Sequence, residues 1–124
     1  MSRLRESLIE LIRRTSAEIP DDVQTAILRG LEQEKEGTIA KSALEIIERN
    51  IGLAKSKSQP ICQDTGSILF YVDCPVGMNQ VEFAQESREA VKEATKLGYL
   101  RQNSVDSITG KNDGTNLGPG SPNL

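Results

Sequence analysis

Leu4, Leu8, Leu11 and Ile12 recur at i, i+4, i+7 and i+8, which lays one apolar stripe along a helix predicted over residues 3–16. Pro20 falls at a first helical position, where its missing N–H costs nothing, and Asp21 and Asp22 occupy the first turn, where the helix dipole favours negative charge. Val23, Ala26, Ile27, Gly30 and Leu31 then predict the buried face of this second helix, and Gly37 its stop. Thr38 is placed to cap a third helix, with Ile39, Ala43, Ile46, Ile47 and Ile51 on one face. That helix must end near Gln59, because the residue before Pro60 is pushed out of the helical region.

The pattern changes after Pro60. Residues 67–74 are β-branched and aromatic, short, and bounded by Gly66 and Pro75, which predicts a strand. Asn79 with Glu82 three positions later resembles a capping arrangement, and Phe83, Ala90, Val91, Ala94 and Leu97 form a helical stripe ending at Gly98. From Tyr99 onward the chain is rich in Asn, Gly, Ser, Asp and Pro, with Val105 and Ile108 as its strand material. There is no internal repeat and no heptad pattern. The expected fold class is α+β: an N-terminal helical layer followed by a small sheet with a packed helix, dominated by helix.

Composition narrows the options. At 124 residues the chain is about one domain by the prior of roughly 100–200 residues each. An aromatic content of 3% with no Trp means an aliphatic core. Fifteen basic against 18 acidic residues give a net charge of −3, which offers no basic footprint for nucleic acid. No apolar run approaches the roughly 20 residues needed to span a bilayer, so no membrane partner is expected. The first residues hold no apolar signal region, so a reducing cytoplasm is the expected location. In that compartment the two cysteines read as metal-binding, catalytic or buried rather than as a disulfide. The absence of His excludes a His-based triad or a His-ligated zinc within these residues. The ending at residues 118–124 reads as the middle of a loop, and truncation is expected.

Cys62 lies on the loop between the third helix and the predicted strand, flanked by Gln63 and Asp64, with Thr65 and Gly66 permitting a tight turn. A lone Cys is ordinarily an inert small hydrophobe. A thiol beside a carboxylate and an amide is a poor way to build a core, and a reasonable way to hold a metal while polar neighbours face a substrate. Arg101 follows directly on an amphipathic helix among polar residues, and a guanidinium suits bidentate capture of a carboxylate; a solvated surface Arg is the plainer reading. Cys74, at the end of the predicted strand, is assigned a structural role. Lys111 and Asn112 with the glycines after them lack a phosphate-loop pattern, so Gly114, Gly118 and Gly120 read as turn formers. The charges between Glu32 and Glu36 read as a solvated helix end.

The run Pro60-Ile61-Cys62-Gln63-Asp64-Thr65-Gly66 resembles the signature of the iron–sulfur (class I) fumarase and L-tartrate dehydratase family, in its alpha region. The runs at residues 100–104, 106–112 and 116–122 agree in order, so the resemblance covers essentially the whole chain. The resemblance implies an N-terminal portion of that region, residues 1–124, in a reversible hydro-lyase acting on fumarate, tartrate or a related dicarboxylic acid. It implies a 4Fe-4S cluster held by three cysteines, with one iron left open as a Lewis acid. Cys62 matches the first of those cysteines, and Cys74 matches none. Gln63, Asp64 and Arg101 match substrate-binding positions, and Asp64 is also placed in the catalytic set without being assigned as the general base. The implied partners are a beta region or beta subunit, in a homodimer or heterotetramer. Two alternatives stand beside this reading. One is a non-catalytic helical interaction module, which leaves the polar Cys62 loop unexplained. The other is an aspartic protease built on Asp64-Thr65-Gly66, which would need an apolar strand leading into the triplet.

Overall fold

The computed structural model describes residues 2–61, 67–102 and 108–124. Four helices form where the apolar periodicity and the caps coincide: α1 (Arg3–Ala17), α2 (Asp21–Gln33), α3 (Ile39–Lys57) and α4 (Gln80–Lys96). Three begin on a side-chain cap. Ser2 Oγ accepts from Arg5 N–H at 3.1 Å, Thr38 Oγ1 from Lys41 N–H at 3.2 Å, and Asn79 Oδ1 from Glu82 N–H at 3.1 Å. Each such cap stabilises its helix by about 1 kcal/mol. Helix α2 starts differently: Pro20 is the cap residue itself, outside the first turn, and makes no side-chain bond.

The core is the seam between α1 and α4. Leu8 and Ile12, one turn apart on α1, meet Phe83, Ala90, Val91 and Ala94 of α4. Ser87, Ala90 and Ala94 have no exposed surface, so small side chains line the α4 side of the seam and let the helices approach closely. The hydroxyls buried there are satisfied within their own helix: Ser87 donates to the Phe83 carbonyl and Thr95 to the Val91 carbonyl, both at 2.8 Å. Outside the seam, Arg5 grips Glu86 through Nε and Nη2, each at 2.8 Å, while Ser2 Oγ donates to the same carboxylate at 2.7 Å. The Arg5 guanidinium first, and the Ser2 hydroxyl second, hold the Glu86 carboxyl below the ordinary carboxylate range. Helix α2 packs on α3, where Lys41 Nζ reaches the Leu31 carbonyl at 2.7 Å, and α3 touches α1 more lightly.

The α+β expectation is overturned: the described residues are helical and contain no sheet. Over residues 67–74 there is a single parallel bridge, Leu69 with Asn123, made by Phe70 N–H to Asn123 O and Asn123 N–H to Ile68 O, both at 2.9 Å. The alternation that suggested a strand is real, since Ile68 and Phe70 pack on the core. Past them Tyr71 is 94% exposed and Cys74 is exposed, and among the described residues no strand completes a ladder. Ile108 is 92% exposed, while Val105 lies outside the described residues.

The stripes on α2 and α3 also differ from expectation. No residue of α2 is buried, and on α3 Ile51 and Ala54 are, while Ile39, Ile46 and Ile47 stand exposed. On α3, Ile39 and Ile46 stand largely uncovered among the described residues, whereas Ile27, Gly30 and Leu31 of α2 are half-buried where α2 packs on α3.

Two outcomes follow for stability. Leu8→Ala is expected to cost about 2–5 kcal/mol, read from urea denaturation of the chain, because it empties the centre of the seam. Glu86 has a depressed folded pKa, so its stabilising contribution is present above its unfolded value and is lost as pH falls through the folded one. Thermal melts of Arg5→Met should therefore lie below wild type at neutral pH and converge on it as pH drops below about 4.3. Coincident curves would show that the pair contributes nothing, and a constant offset that the difference does not come from the ionised carboxylate.

Candidate active site

The segment leading into Cys62 is fixed by two helix ends. Helix α3 ends on Ser58 in the left-handed conformation (φ 50°), with Gln59 N–H bonded back to the Ala54 carbonyl at 3.1 Å. Arg13 of α1 donates to Ser58 Oγ at 3.3 Å and holds that terminus against α1. Ile61 N–H then donates to the carbonyl of Ser16 in the last turn of α1, at 2.9 Å, and its side chain is buried. The main chain is thus anchored one residue before Cys62.

The second arm leaves the end of α4. Gly98 (φ 83°) closes the helix, its N–H bonding to the Thr95 carbonyl at 3.1 Å and that of Tyr99 to the Ala94 carbonyl at 3.0 Å. This pair of bonds is a Schellman turn, and its left-handed position favours glycine. Tyr99 and Leu100 lean on the core, and Arg101 emerges next on an exposed turn. Its guanidinium Nη2 donates to the Ile61 carbonyl at 3.2 Å. The two arms, 40 positions apart in sequence, therefore meet at the residue before Cys62.

Beneath Arg101 lies Asn116, which is 2% exposed and has a left-handed backbone (φ 59°). Its Nδ2 donates to the Arg101 carbonyl at 2.8 Å and to Thr95 Oγ1 at 3.0 Å, and its own carbonyl accepts from Ser121 Oγ at 2.7 Å. The preceding loop is built from local side-chain bonds: Asn112 Oδ1 accepts from Gly114 N–H at 2.7 Å, and Asp113 Oδ1 from Thr115 N–H at 2.9 Å and Thr115 Oγ1 at 2.6 Å. The Thr115 hydroxyl, followed by the Thr115 N–H, keeps the Asp113 carboxyl below its usual value. Asn112 Nδ2 also bonds the Gln102 carbonyl.

Of the site residues expected from sequence, Arg101 is described, whereas Cys62, Gln63 and Asp64 lie outside the described residues. Cys74, expected to have a structural role, is exposed among the described residues. Asn116 was not singled out as a site residue by sequence reasoning. The available signal was an Asn, tolerant of the left-handed region, within a run of glycines, together with Thr95 on the apolar side of α4.

A profile of the family described as fumarate hydratase (Fumerase) matches residues 5–122. The chain belongs to that family. A relative from Geobacillus stearothermophilus, named as a class I fumarate hydratase, is 47% identical over 98% of this chain and 24% of its own length. Relatives named as the alpha subunit of L(+)-tartrate dehydratase are 32% identical in Methanocaldococcus jannaschii, over 97% of this chain and 43% of theirs, and 30% identical in Escherichia coli K12, over 98% and 40%. The chain thus spans less than half the length of these curated relatives.

Among the described residues no group of three or more His, Cys, Asp and Glu could hold a metal ion, and no helix is long and apolar enough to cross a membrane. The sequence holds two cysteines, Cys62 and the exposed Cys74. Cys62 has the donor chemistry of one cluster ligand, but the full three-thiolate set that the family resemblance implies is not met by these 124 residues.

Proposed function

We propose that this chain is the N-terminal part of the alpha region of a cytoplasmic hydro-lyase that adds water to, or removes it from, a small dicarboxylic acid such as fumarate or tartrate. In this reading Arg101 binds a substrate carboxylate, Gln63 and Asp64 hydrogen-bond the substrate, and Cys62 is one thiolate ligand of a 4Fe-4S cluster. The remaining ligands and the general base come from outside these residues, and a beta region or beta subunit completes the enzyme.

The observation that carries the proposal is the 3.2 Å bond from Arg101 Nη2 to the Ile61 carbonyl, on a chain of this family. It sets a planar, permanently charged donor group one residue from a thiol flanked by an amide and a carboxylate. Such a pairing suits a diacid: the guanidinium takes a carboxylate through charge-assisted bonds, roughly twice as strong as neutral ones. The cluster, when bound, supplies an open iron as a Lewis acid. The names of the relatives support both the substrate class and the beta partner.

The test is anaerobic reconstitution of the full-length protein with iron and sulfide, followed by absorption spectra and fumarate and L-tartrate assays. Wild type should turn brown and be active. Cys62→Ala should lose cluster and activity and Cys74→Ala should keep both; a Cys62→Ala protein that retained them would end the proposal. The isolated 124-residue chain, treated in the same way, should hold no stable cluster after desalting, and a persistent brown chromophore would contradict the shared ligand set.

A further inference from the structure

We infer that Asn116 is a positioning residue for Arg101: its buried carboxamide locks the Arg101 main chain to the end of α4 and so sets where the guanidinium lies against the Ile61 carbonyl. The inference rests on the reading of Arg101 as a substrate-binding residue and deepens it.

The argument starts from what Asn116 spends. A primary amide at 2% exposure is costly unless its hydrogens are bonded. Here the Nδ2 group bonds two separate segments, the Arg101 carbonyl at 2.8 Å and Thr95 Oγ1 at 3.0 Å, which lie 15 and 21 positions away. The Thr95 end is rigid. Its hydroxyl gives its hydrogen to the Val91 carbonyl at 2.8 Å, which turns a lone pair toward Asn116, and Thr95 belongs to the buried face of α4. The Asn116 end is rigid as well, since the Ser121 hydroxyl holds its carbonyl at 2.7 Å. The Arg101 carbonyl is therefore tied through one side chain to a fixed turn of helix.

The left-handed backbone of Asn116 does not account for the residue, because glycine adopts that region at no steric cost. What Asn supplies beyond glycine is a planar group with two hydrogens on one nitrogen. Asp has the same shape and no such donors, and would set a carboxylate oxygen against the Arg101 carbonyl. The Schellman turn fixes the chain as far as Tyr99, and the Asn116 bond takes hold two residues later. That is where it matters, because an Arg side chain is long and its tip inherits any drift of its backbone.

The experiment uses the full-length reconstituted enzyme with fumarate as the probe substrate, and compares Asn116→Asp, Asn116→Gly, Thr95→Val and Thr95→Ser with wild type. For each, KM and kcat are measured alongside iron and sulfide content, melting temperature and amide hydrogen exchange of the peptide spanning residues 97–102. Asn116→Asp and Asn116→Gly should raise KM about tenfold, the scale of one lost hydrogen bond, with kcat within about threefold and cluster content unchanged. Exchange at residues 100–102 should quicken. Thr95→Val should show the same pattern more weakly, and Thr95→Ser should restore wild-type values. A purely structural role would lower the melting temperature and leave KM and local exchange where they were; that result overturns the inference. If Asn116→Asp does not fold, Thr95→Val against Thr95→Ser decides on the same criteria. A wild-type enzyme that turns over neither fumarate nor tartrate would sink the functional reading instead, and the exchange measurement would still decide whether Asn116 holds Arg101.

Discussion

The close approach of α1 and α4 is the constraint on which the rest depends. Leu8 and Ile12 can reach Val91 and Phe83 because α4 presents Ser87, Ala90 and Ala94 between them, with no surface left exposed. Burying each of the larger side chains is worth about 1.5–3 kcal/mol, against about 1 kcal/mol net for a typical hydrogen bond. The seam therefore fixes how the two helices lie, and the polar contacts choose detail within that frame. Both arms of the candidate site depart from it. The last turn of α1 offers the Ser16 carbonyl to Ile61, and the last turn of α4 offers the Schellman turn and Thr95 to the Arg101 segment.

Helix ends suit this task because they carry main-chain groups that the helix itself cannot satisfy. The Ser16, Ala94 and Thr95 carbonyls are all of this kind, and each accepts from the chain that leaves the helix layer. Satisfying the terminus and directing the loop are then one event. The left-handed residues at Ser58, Gly98 and Asn116 are among the places where the chain turns away from a helical path or packs back on one.

Much of this was legible in the sequence wherever the cause was local. Thr38 and Asn79 cap the helices they were expected to cap, and Gly98 ends α4, because a cap or a left-handed stop involves residues only three or four apart. The strand expected over 67–74 failed because alternation reports which side chains face inward, and Ile68 and Phe70 do, whereas a strand also requires a partner that a sequence segment does not specify. On α3, Ile51 is buried as expected, but Ile39, Ile46 and Ile47 failed for a related reason: an apolar stripe is a demand for cover, and its period is silent on what supplies the cover. Arg101 was singled out by its place after an amphipathic helix and by family resemblance. Its meeting with Ile61, and the role of Asn116 beneath it, depend on contacts across 40, 15 and 21 positions, for which no short pattern exists.

The arrangement also bears on why an Arg on an exposed turn would serve a substrate at all. Such a side chain carries about 2 kcal/mol of rotamer entropy, which binding must overcome each time. Bonding to a main-chain carbonyl that is itself anchored on α1 removes part of that freedom before any ligand arrives, which is the sense in which preorganisation raises affinity. The anchor is not neutral with respect to chemistry, because it is the carbonyl of the residue before Cys62. On the proposed function, a single bond thereby joins the carboxylate-binding group to the residue before the proposed cluster ligand. Both arms are anchored at the ends of helices that the small side chains of the α1–α4 seam bring close together.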